Sequence, residues 1–332
     1  MTNGKVKFGA LVISLDFEIH WGVRDHFTTD GAYRENLLGV RRAVPEMLRL
    51  FSEFDIAVTW ATVGFLFAKS KDELKDYTPK LLPDYENRKL SPYDEPIGKS
   101  EQDDLFHFAP SLIDRIAGTP RQEIATHTFS HYYCLEKGQS RETFAADLDS
   151  AIALAAEKGA KISSIVFPRN HHNAEYETIL IERGINCLRG NQPEWMYQLS
   201  PGGKSSKFQR LGRFADTHLN LAGQHLIDWS EIWANPKIAN VRASYFFRPA
   251  RTSQKWIDEL RFRRLKNSIE AAARENKIIH LWWHPHNFGA NTENNLAFLR
   301  RVLEVYRDCR EKFEMRSLSM AETAEITRTL NS

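Results

Sequence analysis

A chain of 332 residues, 42% of them hydrophobic, can bury a full core in one large domain or two smaller ones. Its 45 basic and 43 acidic residues leave a formal charge of +2, too weak a field to imply a nucleic-acid partner. The three cysteines, Cys134, Cys187 and Cys309, are widely spaced and form no C-x-x-C pair, which argues against a disulfide framework and suits a reducing compartment.

The first apolar run, "FGALVISL" (8–15), reads as a buried strand. Asp16 ends it before it could serve as a secretory signal or a membrane span, so the expectation is a soluble, cytoplasmic protein. Residues 35–54 carry a helical period with Pro45 as a blemish, and "IAVTWATV" (56–63) is β-rich. A polar, proline-containing stretch from about 70 to 110 is too long for a simple connection and predicts an inserted excursion or lid. Next come a short strand over 122–128 and a helix over 140–159, with Ser140 as N-cap and Gly159 as its stop. A strand (162–168), a helix (174–184) and a short strand (185–190) follow. Residues 191–243 are irregular, with an evident loop in "LSPGGKSSK". Then come a strand (243–249), a long helix (253–276), a strand (277–283), a helix (292–309), a strand (313–318) and a short terminal helix. The basic run "RFRRLKN" (261–267) lies in a helical pattern and reads as a solvated face.

Strand–helix alternation points to a parallel sheet covered by helices. About seven such units favour one α/β domain over residues 1–332, built as a closed or nearly closed barrel rather than an open doubly wound sheet. No G-x-G-x-x-G or phosphate loop supports a nucleotide fold.

In such barrels the chemistry sits at the C-terminal ends of the strands. Asp16 and Glu18 follow the first strand, His127 and His131 the third, Arg169 the fourth, and Arg248 the strand at 243–249. His284 and His286 follow the strand at 277–283. An unpaired carboxylate inside "LVISLDFE" is costly, so Asp16 needs a cation or marks the strand's end. Asp16 and Glu18 share parity and point the same way on an extended chain. His127 and His131, one helical turn apart if helical, add to one carboxylate as a two-His, one-carboxylate set. That set suits a divalent catalytic metal, most simply Zn²⁺. The adjacent His171 and His172 read as surface or supporting residues, and Cys134 lacks an evident base for a thiol mechanism.

"SLDFE", "THTFSH", "FPRN" and "LWWHP" resemble, in order and strand context, the polysaccharide deacetylases, the NodB-homology group also called carbohydrate esterase family four. The resemblance spans roughly residues 10–290 and looks most like the WbmS-type branch of bacterial O-antigen clusters. It implies a distorted (β/α)₇ barrel and metal-dependent removal of an acyl group from an amino sugar, free or on a carrier. Carried over by motif, it implies Asp16 as base, Glu18, His127 and His131 as metal ligands, Arg169 as the brace of the base, and His284 as general acid. A backbone N–H near Tyr132 would help to stabilise the oxyanion. Trp21 and Trp60, with Trp282 and Trp283, would offer flat faces to the sugar, and Arg248 and His286 would complete the substrate contacts. The sequence departs from the pattern where Phe17 separates the two acidic residues and where Pro168 precedes Arg169. The fourth motif, an Asp and a Trp, has only Asp228 and Trp229 of "IDWSE" to offer. The rival expectations are a non-catalytic sugar-binding barrel, a hydrolase of a small non-sugar amide, and a Cys-dependent hydrolase.

Overall fold

The computed structural model describes residues 6–194, 196–197, 206, 208–209, 212, 223–250 and 255–331. Apart from Ser206, the loop expected in "LSPGGKSSK" lies outside them, as do the first two residues of the helix expected at 253.

Nine strands among the described residues form one sheet. They are β1 (Ala10–Phe17), β2 (Val58–Thr62), β3 (Gln122–Thr126), β4 (Ser164–Val166), β5 (Cys187–Arg189), β6 (Ala239–Asn240), β7 (Tyr245–Phe246), β8 (Ile278–Trp283) and β9 (Arg316–Leu318). Their order is β6-β5-β4-β3-β2-β1-β8-β7, with β9 beside β1, and all their ladders are parallel. The two ends of this order, β6 and β7, belong to one extended segment. Its first half donates from Val241 and Ala243 to the carbonyls of Leu188 and Gly190, at 2.9 and 3.0 Å. Its second half donates from Ser244 and Phe247 to the carbonyls of His280 and Trp282, both at 2.8 Å. The segment thus leaves β5 and joins β8, and the sheet curls into a distorted barrel.

Side-chain parity explains what this barrel contains. Leu11, Ile13, Leu15 and Phe17 of β1 join the main core under the helices, whereas Ala10 and Val12 join a smaller cluster with Val166, Cys187, Ala239 and Ile278. Successive strand residues point to opposite faces, so Ser14 and Asp16 share the inner face with Ala10 and Val12. On β5 and β8, Arg189 and His280 follow Cys187 and Ile278 by two residues and share that face. The barrel interior is therefore small and apolar at its base and polar towards the strand ends.

The covering helices follow from their apolar stripes. Helix Arg34–Glu53 continues unbroken past Pro45 because Leu37, Val40, Val44, Met47, Leu48 and Phe51 bury one face at three- and four-residue spacing. That burial offsets a proline cost of about 3 kcal/mol. Helix Arg141–Glu157 starts at the Ser140–Thr143 capping box, and Gly159 beyond its end has φ +77°. The helix expected at 174–184 splits into a 3-10 turn, Ala174–Tyr176, and an α-helix, Glu177–Glu182. The stretch from 70 to 110 holds a short helix (Lys71–Asp76) and a 3-10 turn (Arg88–Leu90). It packs Tyr85 and Leu90 against Tyr133 on the barrel rim. Among the described residues no helix is long and apolar enough to cross a membrane.

Candidate active site

Asp16 lies inside β1, almost fully buried, and a cation meets it there. Arg189 donates from its two Nη atoms to the two carboxylate oxygens at 2.7 and 2.8 Å, a bidentate pair. The same guanidinium donates to Ser14 Oγ at 2.9 Å and Asn170 Oδ1 at 2.7 Å, and rests on the Trp282 ring, 4.3 Å from its centroid. Burial alone would raise the Asp16 carboxyl. The Arg189 charge, with smaller effects of His127 and His284, brings it below its usual value. The arginine expected on Asp16 was Arg169, and this is corrected. Residues 168–170 form a 3-10 turn in which Arg169 and Asn170 have φ of 56° and 54°. That turn sends the Arg169 side chain outward to Asp25 and Glu136, over the Tyr133 ring.

Glu18, just past the strand, faces the two histidines of "THTFSH". His127 Nε2 and His131 Nε2 each lie 3.2 Å from Glu18 Oε2. His127 Nδ1 faces the Val166 carbonyl oxygen at 2.8 Å, so it carries the hydrogen and leaves a lone pair on Nε2. That buried Nε2 has no hydrogen-bond partner. Burial lowers His131 to about 4 against the pull of Glu18, which leaves its ring neutral. Burial would raise Glu18, but His284 first, and then His131, hold it well below the usual value. Two neutral imidazoles and one carboxylate fit a divalent ion. The observed separations are close to the ~3.3–3.4 Å edge of a tetrahedron with ~2.0–2.1 Å bonds.

The histidine pair is not on a helix. It sits in the loop after β3, where Thr128 and His131 have φ of 65° and 57°. Asp147, buried in helix Arg141–Glu157, braces this loop by accepting from the N–H groups of Phe129 and Ser130 at 2.7 and 3.2 Å, and from the Ser130 hydroxyl. Burial pushes its carboxyl up to about 7, against those three donors. Two further features seat Glu18. Ile19 adopts φ 47°, a strain of order 1–3 kcal/mol for a non-glycine residue. A Cβ on Gly22 would stand 1.9 to 2.3 Å from the Glu18 carboxyl atoms, so the carboxylate occupies the space a side chain would need.

His284 closes the cluster from the end of β8. Its Nε2 is 3.5 Å from Glu18 Oε1 and 3.9 Å from Asp16 Oδ2. Its Nδ1 faces Asn287 Oδ1 at 3.3 Å, while Asn287 Nδ2 donates to the Tyr33 hydroxyl at 2.7 Å. An amide, not a carboxylate, thus faces His284 Nδ1. Asp228 is partnered by Lys277, and Trp229 packs on Phe8 before the start of β1.

Several expected substrate contacts are corrected. Trp60 pairs in register with Leu15, so its ring points into the helix-facing core, where Nε1 donates to Gln122 Oε1. Trp21 is buried edge-on to Phe65 with its N–H on the His107 carbonyl. The Tyr132 ring is buried, and its backbone N–H donates to Thr128 Oγ1 at 2.7 Å, which removes it as an oxyanion donor. His286 is buried in a stack beneath His284, and burial lowers it to about 3. Arg248 lies over the Phe246 ring, one ring removed from His284. Trp282 and Phe246 are the half-buried rings next to His284. Cys134 is fully buried and its thiol is raised well above normal, which denies it a nucleophile's role.

Arg189 is the main residue that sequence reasoning missed. An arginine in "INCLRG", inside a predicted strand, carries the same signal as Asp16, since a buried charge needs an opposite partner.

No family model matches the chain, and neither does any curated protein sequence. Solved structures do. One named for a polysaccharide deacetylase of Mycobacterium smegmatis aligns with a TM-score of 0.58 at 17% identity, covering 100% of this chain and 93% of its own. A second, named for a polysaccharide deacetylase of Pseudomonas aeruginosa PAO1, gives 0.55 at 12% identity over 95% and 89%. Puue allantoinase gives 0.52 at 13% identity over 95% and 89%. At such identities the likeness establishes a shared fold, the distorted barrel of the polysaccharide deacetylase structures.

Proposed function

We propose that the chain, which shares the polysaccharide deacetylase fold, is a metal-dependent hydrolase that removes an N-acyl group, acetyl or formyl, from an amino sugar. The observation that carries this reading is the convergence of His127 and His131 Nε2 on one Glu18 oxygen, at 3.2 Å each, beside Asp16 and His284. A divalent ion held by Glu18, His127 and His131, most simply Zn²⁺, would act as a Lewis acid on the acyl carbonyl and lower the pKa of water from 15.7 towards ~7.

Asp16 takes the proton of the attacking water through Oδ2, the oxygen nearer His284. Its carboxyl is held low, so it stays ionised and ready to accept a proton. Arg189 keeps Asp16 ionised and fixes its plane. His284 delivers a proton from Nε2 to the departing amine, its ring steadied by Asn287 at Nδ1. Trp282 and Phe246 offer flat, half-buried faces to the sugar ring. The sequence resemblance to the WbmS-type branch supports a substrate from bacterial O-antigen or lipopolysaccharide assembly, handled in the cytoplasm. The fold shared with an allantoinase keeps a small non-sugar amide as the second reading.

The test is release of acetate or formate from N-acylated amino sugars by the purified chain, beside small amides such as allantoin. The expected result is release from the sugar that stops with a chelator and returns with Zn²⁺. Turnover of the small amide alone selects the second reading. A metal-loaded chain that binds sugar and releases no acid is a sugar-binding barrel.

A further inference from the structure

Another cluster of potential ligands lies across the turn after β1. It joins His20 to Glu95 and His107, both from the excursion between residues 70 and 110. His20 and His107 are nearly fully buried. His20 Nε2 faces the Phe27 carbonyl oxygen at 2.9 Å, an acceptor only, so this nitrogen carries a hydrogen. His107 Nδ1 faces Asp104 Oδ2 at 2.7 Å. Asp104 also accepts from the N–H groups of Gly98, Phe106 and His107, at 2.9, 3.0 and 3.2 Å. A carboxylate so surrounded by donors is ionised, so His107 Nδ1 carries a hydrogen too.

The remaining nitrogens, His20 Nδ1 and His107 Nε2, point at each other across 2.8 Å. In two neutral rings both would be bare lone pairs, an arrangement that needs a cation between them. Glu95 Oε1 reaches towards the same point, 3.9 Å from His20 Nδ1 and 4.0 Å from His107 Nε2. Its other oxygen turns to Arg24, 3.9 Å away. A shared proton would satisfy the two nitrogens and leave Glu95 outside. A metal ion uses all three donors, and each ring then has its outer N–H on a backbone carbonyl or a carboxylate, as metal-bound histidines do.

We propose that His20, His107 and Glu95 form a second metal site, for a divalent ion of the zinc class, that clamps the excursion to the turn carrying Glu18. Seating the ion requires the nitrogens to part, and the Glu95 oxygen to close in, by about half an ångström each, to the edge of a tetrahedron with ~2.0–2.1 Å bonds. The site is built from its own donors and does not rest on the proposed hydrolase activity.

The test is a count of bound metal. The full chain, stripped with a chelator, is dialysed against buffered Zn²⁺, with circular dichroism of each variant as a check on folding. Wild type should take two equivalents, His107→Gln one, His131→Ala one, and the double variant none. Glu95→Gln, at a partly exposed position, should weaken the second equivalent at least tenfold and leave the fold intact. A single wild-type equivalent that His131→Ala removes and His107→Gln leaves in place would overturn the proposal in favour of a shared proton. A single equivalent with the opposite response would keep this site and sink the hydrolase centre.

Discussion

Of the three His–His–Glu groups among the described residues, two share Glu18, one with His127 and His131 and one with His284 and His286. The His127–His131 group and the His20–Glu95–His107 group flank the turn after β1 and are built differently. At the strand ends, two imidazole nitrogens converge on one oxygen of Glu18, each 3.2 Å away. Against the excursion, two imidazole nitrogens face each other at 2.8 Å while Glu95 stands back at 3.9 and 4.0 Å. The larger difference is in their neighbours. The first has Asp16 and His284 beside it, the groups proposed above as proton acceptor and proton donor. The second has Trp21 and Arg24, which pack and pair, and Asp104, whose carboxylate is taken up by three backbone N–H groups and His107 Nδ1. On the two proposals above, the same ligand types would serve chemistry in one place and anchorage in the other, and the surrounding groups would decide which.

The sharpest way to break this contrast is His127→Ala. It should remove the ion at the strand ends together with turnover, down to the level of chelator-treated protein. A metal-depleted variant that still turns over ends the comparison. His284→Ala should keep the metal and lower kcat by roughly 10²–10⁴-fold, the usual worth of a positioned acid or base. Single-turnover kinetics with a metal assay reads both.

Arg189→Met should cost about 3–5 kcal/mol of stability, because it leaves Asp16 buried without its partner. Asp16 is depressed in the folded chain, so its stabilisation is present above the unfolded value of 3.8 and is lost as pH falls through the folded value. In Arg189→Met burial dominates, the folded value rises, and the acid limb of kcat/KM should move to higher pH. Arg169→Met, whose guanidinium pairs with Asp25 and Glu136, should leave that limb in place. Urea midpoints and pH–rate profiles of the two variants separate them. The smallest expected effect is Gly22→Ala, whose new methyl group displaces the Glu18 carboxyl. It should weaken metal binding roughly 10–100-fold, as loss of a supporting contact does, by competition with a chelating dye.

Much of this was written locally. The first strand, expected at 8–15 and formed at Ala10–Phe17 with Asp16 inside it, the helix opening at Ser140 and ending before Gly159, and the strand expected at 277–283 each follow from a period of two or 3.6 residues and local stop signals, which neighbours in sequence supply. Residue type was enough to nominate Glu18, His127, His131, Asp16 and His284, since carboxylates and imidazoles beside apolar strands are costly without partners.

What a single strand cannot encode is where its side chains meet those of another. Val166 pairs in register with Arg189, so the inward arginine on Asp16 comes from β5, while β4 ends before Arg169 and the left-handed turn after it points that residue away. Trp60 pairs with Leu15 and therefore faces the helices rather than a substrate. The excursion brought His107 and Glu95 to His20 across more than seventy residues of chain. Sequence alone determined most of the elements and nominated the candidate residues, because those depend on short-range periodicity and on the cost of burying charge. Tertiary structure decided which arginine holds Asp16 and which histidines lie together, because interstrand register and the path of an insertion are properties of the closed barrel.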